Sequence, residues 1–192
     1  MQSILEVIQP IKLLSGSHID TAQTGQGCAM NVIAYLNGEN QITDHSPCVC
    51  VTVRKPLIWL NDFLCDDDRQ ELVPFLLRAM GSATDDELVI NERLAHVVRF
   101  ANAMAEIAKR ATYADYATNA ATNAATNAAY ATYAADAATN AATYAAYAAA
   151  NFQKEIKAAG FEFLEVVLPK ADAHGPEVFE RAKALAATAA LV

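Results

Sequence analysis

ATYADYATNAATNAATNAAYATYAADAATNAATYAAYAAANFQ, residues 111–153, is the stretch that decides the fold. It contains 21 Ala, 7 Thr, 6 Tyr and 5 Asn, and it has no Leu, Ile, Val, Met, Lys or Arg. Alanine is the best helix former, so a helix is favoured despite the Thr and Asn residues. The stretch therefore predicts a helical segment that packs through very small side chains.

A seven-residue period runs through this segment when position a is set at Tyr116. Alanine occupies positions b and f, and also position e except at Asn127, and these positions are neighbours on a helical wheel. We call them the Ala face: Ala117, Ala120, Ala121, Ala124, Ala128, Ala131, Ala134, Ala135, Ala138, Ala141, Ala142, Ala145, Ala148 and Ala149. Positions a and d form the Tyr/Asn face: Tyr116, Asn119, Asn123, Tyr130, Tyr133, Asn140, Tyr144 and Tyr147.

The two faces predict two kinds of contact. A seven-residue period favours a left-handed supercoil with a partner helix, as in a coiled coil. Single-carbon side chains let helix axes approach closer than the usual distance of about 8–10 Å. We therefore expect a homo-oligomer through the Ala face. The Tyr/Asn face is the candidate binding surface, because tyrosine offers large contacts at low entropy cost. It would suit a partner protein or a planar ligand such as a nucleobase.

Two other interpretations of the Ala-rich segment remain open. Compositional bias of this kind is often structural filler packed on the rest of a domain. The segment also resembles helical antifreeze proteins, in its Ala-rich composition and regular Thr, which would imply an ice-binding Ala/Thr plane. Those proteins space Thr by eleven residues. Thr132 and Thr143 fit this spacing, but Ala129 stands eleven residues after Thr118.

The remaining chain is also helical in pattern. Residues 28–37 are predicted to form a helix that Gly38 ends, and Pro56 to open another that reaches Cys65. CVCVTV, residues 48–53, has the composition of a short strand. Gly160 is expected to stop a helix, and Pro176 to open the last one.

Residues 82–159 contain neither Gly nor Pro, and a helix is expected to begin within this stretch at Thr84. Thr84-Asp85-Asp86-Glu87 has the form of a capping box, with Thr84 as the cap. One helix over residues 85–159 would be about 112 Å long, whereas a compact chain of this size has a radius of gyration of about 16 Å. A rod or a turn near residues 110–116 is therefore predicted.

The sequence therefore predicts an all-α fold in three consecutive domains. Residues 1–84 form an N-terminal helical domain, residues 85–160 a long Ala-rich helix or helical hairpin, and residues 161–192 a C-terminal helical segment.

Charge and composition exclude some partners. The 192 residues carry a net charge of −8, which argues against nucleic acid or an anionic membrane as the main partner. No apolar run is long enough to span a bilayer, and the start MQSILEVIQP lacks the features of a signal peptide. We expect a cytoplasmic protein, in which the four cysteines would be reduced.

A group of Cys and His residues offers a candidate metal site. Cys28, His45, Cys48 and Cys50 could supply the four ligands that tetrahedral zinc requires. The spacing is unfavourable, because Cys48 and Cys50 form C-x-C and zinc pairs are usually spaced C-x₂₋₄-C. Reduced cysteine is also a common small core residue. We therefore expect a protein without a cofactor, and a bound zinc ion is the alternative.

The same loop permits a catalytic interpretation. Cys28 could be a nucleophile paired with His45, with Asp44 or Asp62 orienting the imidazole. The sequence does not show whether these residues meet. It also contains no dinucleotide-binding, P-loop, zinc-protease or nucleophile-elbow motif.

Residues 27–39, 44–51, 60–62 and 68–83 resemble an uncharacterised group of phage and bacterial proteins. The group shares a Cys-x-Met-Glu helix, an Asp-His-Pro-type loop and a Leu-Asn-Asp helix, and many of its members continue into Ala-rich repeats. This chain has Asn31 where the group usually has Glu. The resemblance implies a phage or bacterial accessory protein, including one that counters or supports host defence.

The function expected from the sequence is non-catalytic. We expect a helical binding or assembly protein that sequesters a small ligand or a host partner, through the Tyr/Asn face or through the loop that holds Asp44 and His45. An enzyme or zinc protein built on the Cys/His group, and an ice-binding protein, are the alternatives.

Overall fold

The computed structural model describes residues 4–16, 25–110, 114–127, 130–147, 152–168 and 175–191. The chain is all-α, as predicted, apart from one small sheet. The helices are α1 (Ile4–Ile8), α2 (Ala29–Asn37), α3 (Val51–Phe63), α4 (Asp66–Gln70), α5 (Val73–Ala79), α6 (Glu87–Ala108), α7 (Ala114–Thr126), α8 (Ala131–Tyr147), α9 (Gln153–Val167) and α10 (Pro176–Ala189). No helix in these ranges combines the length and the apolar character needed to cross a bilayer.

Residues 48–53, whose composition would allow a short strand, do not form one. The Val53 and Arg54 amides both donate to the Cys50 carbonyl, at 3.0 and 2.9 Å, so the chain is already helical there. α3 begins at Val51, and Pro56 lies inside it rather than at its start. The small sheet is elsewhere: β1 (Lys12–Leu13) pairs in parallel with β2 (Gln26–Gly27).

Helix ends follow the predicted residues at some positions and not at others. Gly38 ends α2 in the left-handed conformation, with φ 75°, and Pro176 opens α10, as predicted. The start predicted at Thr84 is wrong, because Asp86 caps α6 by accepting from the Leu88 amide at 2.9 Å. Gly160 does not stop a helix but lies buried inside α9, where tertiary packing outweighs its low helix propensity.

Residues 85–159 fold back instead of forming one rod. α6 ends at Ala108 and α7 begins at Ala114, which confirms the turn predicted near residues 110–116. A second turn separates α7 from α8, and the sequence analysis did not place it. Asn127 lies in this turn, and its side-chain amide donates to the Asn123 carbonyl at 2.9 Å. The single exception to alanine at position e therefore marks the end of α7.

The Ala face is buried by packing within the chain. α6 packs against α7, α8 and α9, and α7 packs against α8. The described alanines of this face are all at most 7% exposed: Ala120, Ala121, Ala124, Ala134, Ala135, Ala138, Ala141 and Ala142. The described part of the Ala face is therefore not available for the homo-oligomer expected from the sequence, because α6 and the two Ala-rich helices already cover it. The Ala-rich segment is a helical hairpin whose partner is α6.

The chain divides into two compact units, which differ from the three consecutive domains expected. One unit comprises Met1–Val49, Leu60–Ser82 and Pro169–Val192, and the other comprises Cys50–Trp59 and Ala83–Leu168. In the first unit α10 packs against α1 and α2. Arg181 of α10 donates from Nε to the Leu36 carbonyl at 2.6 Å, which places a cation at the negative end of the α2 dipole. Long-range packing of this kind has no local sequence signature.

Replacing Gly25 by Ala should destabilise the first unit. Gly25 has φ 76°, and an added Cβ would lie 2.4 Å from the Cβ of Ala189. Gly81 is the matched control, because it has φ 78° and open space around it. Both substitutions should cost about 1–2 kcal/mol for the left-handed backbone, and Gly25→Ala at least about 1 kcal/mol more for the clash. Urea unfolding followed by circular dichroism measures the difference, and equal losses would contradict the close approach.

Replacing Ala124 by Leu should destabilise the hairpin, because Ala124 is fully buried in the Ala face. Its neighbour Ala125 is exposed on the same helix and provides the control. We expect Ala124→Leu to cost about 1–3 kcal/mol through overpacking, and Ala125→Leu to stay within about 0.5 kcal/mol of the parent. Thermal unfolding of the two variants checks this, and similar midpoints would refute the intramolecular role of the Ala face.

Candidate functional site

The start of α2 is held by side chains from distant parts of the first unit. Cys28 is the N-cap residue, and its Sγ accepts a hydrogen bond from the Asn31 amide at 3.4 Å. The backbone amide of Ala29, the first residue of the helix, donates to the Asn61 Oδ1 atom at 3.1 Å. These bonds satisfy backbone donors that the first turn of a helix leaves without a partner. The helix is therefore fixed at its N-terminus by buried polar groups.

Asp44 is a charged residue in contact with this helix start. Its Oδ1 atom accepts from the Cys28 thiol at 3.3 Å and from the Asn31 side-chain amide at 3.0 Å. A neutral donor at position 31 suits this carboxylate, whereas a Glu at that position would place two carboxylates together. Asn31 therefore serves as a donor to Asp44 in this chain.

The environment of Cys28 keeps its thiol protonated. Burial above all, together with the charge of Asp44 and the hydrogen bond to it, raises the pKa of the Cys28 thiol to about 12. The hydrogen bond from the Asn31 amide acts in the opposite direction. A thiolate, and not a thiol, is the cysteine nucleophile. The geometry at Cys28 thus favours a structural hydrogen-bond donor over an activated nucleophile.

His45 is not the partner of Cys28 in this arrangement. Its side chain is exposed, and its backbone amide donates to the Thr43 hydroxyl at 3.1 Å. The other residue considered for orienting it, Asp62, accepts from the Gly16 amide at 2.7 Å. The Cys28 thiol donates its hydrogen bond to Asp44, the residue immediately before His45.

The four cysteines are all free thiols. Cys48 lies 3.0 Å from the Ser46 hydroxyl, and Cys50 lies 3.0 Å from the Thr52 hydroxyl. Within the described ranges, no three His, Cys, Asp or Glu side chains lie close enough together to hold a metal ion. The zinc site of Cys28, His45, Cys48 and Cys50 stays a prediction that rests on residue types alone.

Two side chains that join distant segments of the first unit by hydrogen bonds were not predicted from the sequence. Asn61 Nδ2 donates to the Leu14 carbonyl at 2.8 Å, while its Oδ1 accepts from Ala29. Gln70 bonds both backbone groups of Leu13, donating at 3.0 Å and accepting at 2.9 Å. Both residues lie in the ranges that carry the resemblance, residues 60–62 and 68–83. Those ranges were the available signal, and their geometry points to structural roles.

The Tyr/Asn face lies on the exposed side of the hairpin. Tyr116, Tyr130 and Tyr133 are 60%, 65% and 63% exposed. Tyr144 is half-buried. The three asparagines of α7 and α8 on this face are exposed: Asn119, Asn123 and Asn140. The side chain of Tyr147 lies outside the described part of the chain. This surface is the largest exposed aromatic feature that the sequence predicted.

Ring contacts organise the tyrosines into two pairs. The rings of Tyr116 and Tyr144 join α7 to α8, with centroids 5.5 Å apart and a tilt of 30°. Near the turn, Tyr130 and Tyr133 meet edge to face at 6.1 Å. Packing between neighbouring rings restricts their motion, so the aromatic surface is partly ordered before any partner binds.

In the described part of the hairpin, the threonines are exposed or half-buried, whereas the alanines of the Ala face are buried. Thr143 donates its hydroxyl to the Thr139 carbonyl at 2.9 Å, and Thr122 donates to the Thr118 carbonyl at the same distance. Thr132 is exposed, but the described alanines of the Ala face are buried. An ice-binding plane of Ala and Thr would require both to face water. The buried alanines weigh against that alternative.

Cys28 should resist alkylation. Single-cysteine variants that retain only Cys28 or only Cys65 can be treated with iodoacetamide at pH 8. A thiol of pKa about 12 is ionised in only about one molecule in 10⁴ at that pH. Cys65 is exposed, so we expect it to react at least about a hundredfold faster. Mass spectrometry measures both rates, and comparable rates would overturn the protonated, buried state of Cys28.

No family model, curated protein or solved structure matches this chain. The resemblance of residues 27–39 and 60–62 to the phage and bacterial group stays a prediction.

Proposed function

We propose that this protein is a non-catalytic helical assembly protein, which pairs with a second copy of itself through the Tyr/Asn face. One observation carries the proposal: the hairpin buries its alanines and leaves Tyr116, Tyr130 and Tyr133 at least 60% exposed. Large exposed apolar surface on a folded protein commonly marks an interaction site. The association expected from the sequence is thereby moved from the Ala face to the opposite side of the same two helices.

The chemistry of the Tyr/Asn face suits a second copy. Phenol and carboxamide groups each both donate and accept hydrogen bonds, so the surface is complementary to itself. None of its eight side chains is charged, and symmetric pairing therefore opposes no like charges across the interface. Asp136, which lies on the same hairpin, is neutralised by an ion pair with Lys55. A face of this kind can pair even though the chain carries a net charge of −8.

The size of the face predicts a reversible dimer. A tyrosine buries about 150–250 Å² when fully covered. At 60–65% exposure, Tyr116, Tyr130 and Tyr133 offer roughly 300–500 Å² of surface per copy. Stable complexes bury about 800 Å² per partner. We therefore expect association to depend on concentration and to be weaker than in an obligate dimer.

The alternatives have less support from the site. A cysteine enzyme requires an activated thiol, whereas Cys28 is buried and donates to Asp44. A host protein could use the same Tyr/Asn face, and a role in counter-defence remains an expectation from the resemblance. With a host protein as the partner, the Tyr/Asn face would still be the surface that makes contact.

Removing two tyrosines should weaken self-association. We expect sedimentation velocity of the full chain to show a concentration-dependent dimer, and Tyr130→Ser with Tyr133→Ser to weaken it by at least about tenfold, because each ring contributes on the order of 1 kcal/mol or more. Leu88→Ser is the control, because Leu88 is 80% exposed but lies on α6. A protein that is monomeric at all concentrations, or equal loss with Leu88→Ser, would overturn the proposal.

Opposite charges should restore pairing between two different variants. Asn123 is an exposed residue of the face, so Asn123→Asp and Asn123→Lys should each reduce self-association through like-charge repulsion. A mixture of the two variants should form a heterodimer, which native mass spectrometry distinguishes from either homodimer. Recovery in the mixture requires that the face meets its own copy. If the mixture stays monomeric while the parent dimerises, the dimer uses a different surface.

A further inference from the structure

A cleft of 120 Å³ lies between α6 and α9, within the second unit and away from the Tyr/Asn face. Its floor is formed by Phe100 and Phe163, each 3% exposed, with ring centroids 5.1 Å apart and a tilt of 34°. Trp59 lies against Phe100, with ring centroids 6.4 Å apart. Two aromatic rings thus contribute to an apolar lining, and the part of a ligand that lies against them has to be apolar.

The volume of the cleft corresponds to one ring. An apolar cavity of about 150 Å³ in a protein accepts a benzene molecule. Ala103 of α6 and Ala159 of α9 line the opening, and their single-carbon side chains leave this space unfilled. Larger side chains at either position would occupy it. A monocyclic group matches this volume better than a fused-ring system does.

The rim of the cleft is asymmetric in charge. On the α6 side, Arg99 lies with Nη1 3.5 Å from Nδ1 of His96. On the α9 side the charged residue is Glu162. Guanidinium is always ionised and binds carboxylate with two parallel hydrogen bonds. A ligand that carries one carboxylate is therefore oriented with this group toward α6 and away from Glu162.

We infer that this cleft binds a small monocyclic aromatic acid, with its ring on Phe100 and Phe163 and its carboxylate at Arg99. The ring gains apolar burial and aromatic contacts, and the carboxylate gains a charge-assisted hydrogen bond. The site does not depend on the Tyr/Asn face, so the inference stands independently of self-association.

Phenylacetate is the probe for this site, and Trp59 is the reporter, because it is the only tryptophan in the chain. Phenylacetate should change the Trp59 emission in a saturable manner. Acetate lacks the ring and should leave the emission unchanged, and benzylamine, which carries the opposite charge, should bind at least about tenfold more weakly. A linear response to phenylacetate, or equal binding of benzylamine, would overturn the inference.

Two pairs of variants test the two halves of the site. Ala159→Leu fills the cleft and should abolish the saturable response, whereas Ala158→Leu, at an exposed position of the same helix, should retain it. Arg99→Gln should weaken binding at least about tenfold, whereas Lys154→Gln, an exposed charge of α9, should not. Circular dichroism confirms that each variant is folded. Unchanged binding in a folded Ala159→Leu or Arg99→Gln variant would refute the ring position or the acid position, respectively.

Discussion

The packing of single-carbon side chains between α6, α7 and α8 is the constraint on which the second unit depends. Each buried alanine contributes little, since a buried methylene is worth about 0.8 kcal/mol. The larger residues of α6, such as Leu94 and Met104, supply the remaining apolar burial. Because the buried positions of the hairpin are alanine, its interior leaves little room for an aromatic ring. The tyrosines of the hairpin must therefore lie on its outer side, which is where Tyr116 and Tyr133 are found.

The separation of these two faces could be predicted from the sequence because it depends on local periodicity. The buried state of Ala124 and Ala138 and the exposure of Tyr133 follow from positions on a helical wheel. The turn at Asn127 could not be placed in the same way. An Ala-rich sequence forms a helix equally well on both sides of it, and only contacts with α6 determine where the chain reverses. The interruption of the Ala pattern at Asn127 is a local trace of that long-range constraint.

The first unit shows why the candidate site was harder to derive. Asp44 and His45 are adjacent in one loop, and the sequence cannot show which of them faces α2. The structure places Asp44 on Cys28 and leaves His45 exposed, which changes the chemistry from a thiol and a base to a thiol and a carboxylate. The same limitation applies to Asn61 and Gln70, because the backbone groups of Ala29 and Leu13 that they bond lie 32 and 57 residues away along the chain. Amide side chains that bond to distant backbone groups have no periodic pattern.

Alanine has opposite consequences in the two helix pairs of the second unit. Between α7 and α8 the neighbouring side chains are also alanine, so the helices approach and the space closes. Between α6 and α9 the alanines share the lining of the cleft with Phe100 and Phe163, whose rings contact each other across the two helices. Ala103 and Ala159 then leave an open volume above the rings instead of closing it. One residue type thus produces a sealed interface in one place and a cleft in another, and the size of its neighbours decides which.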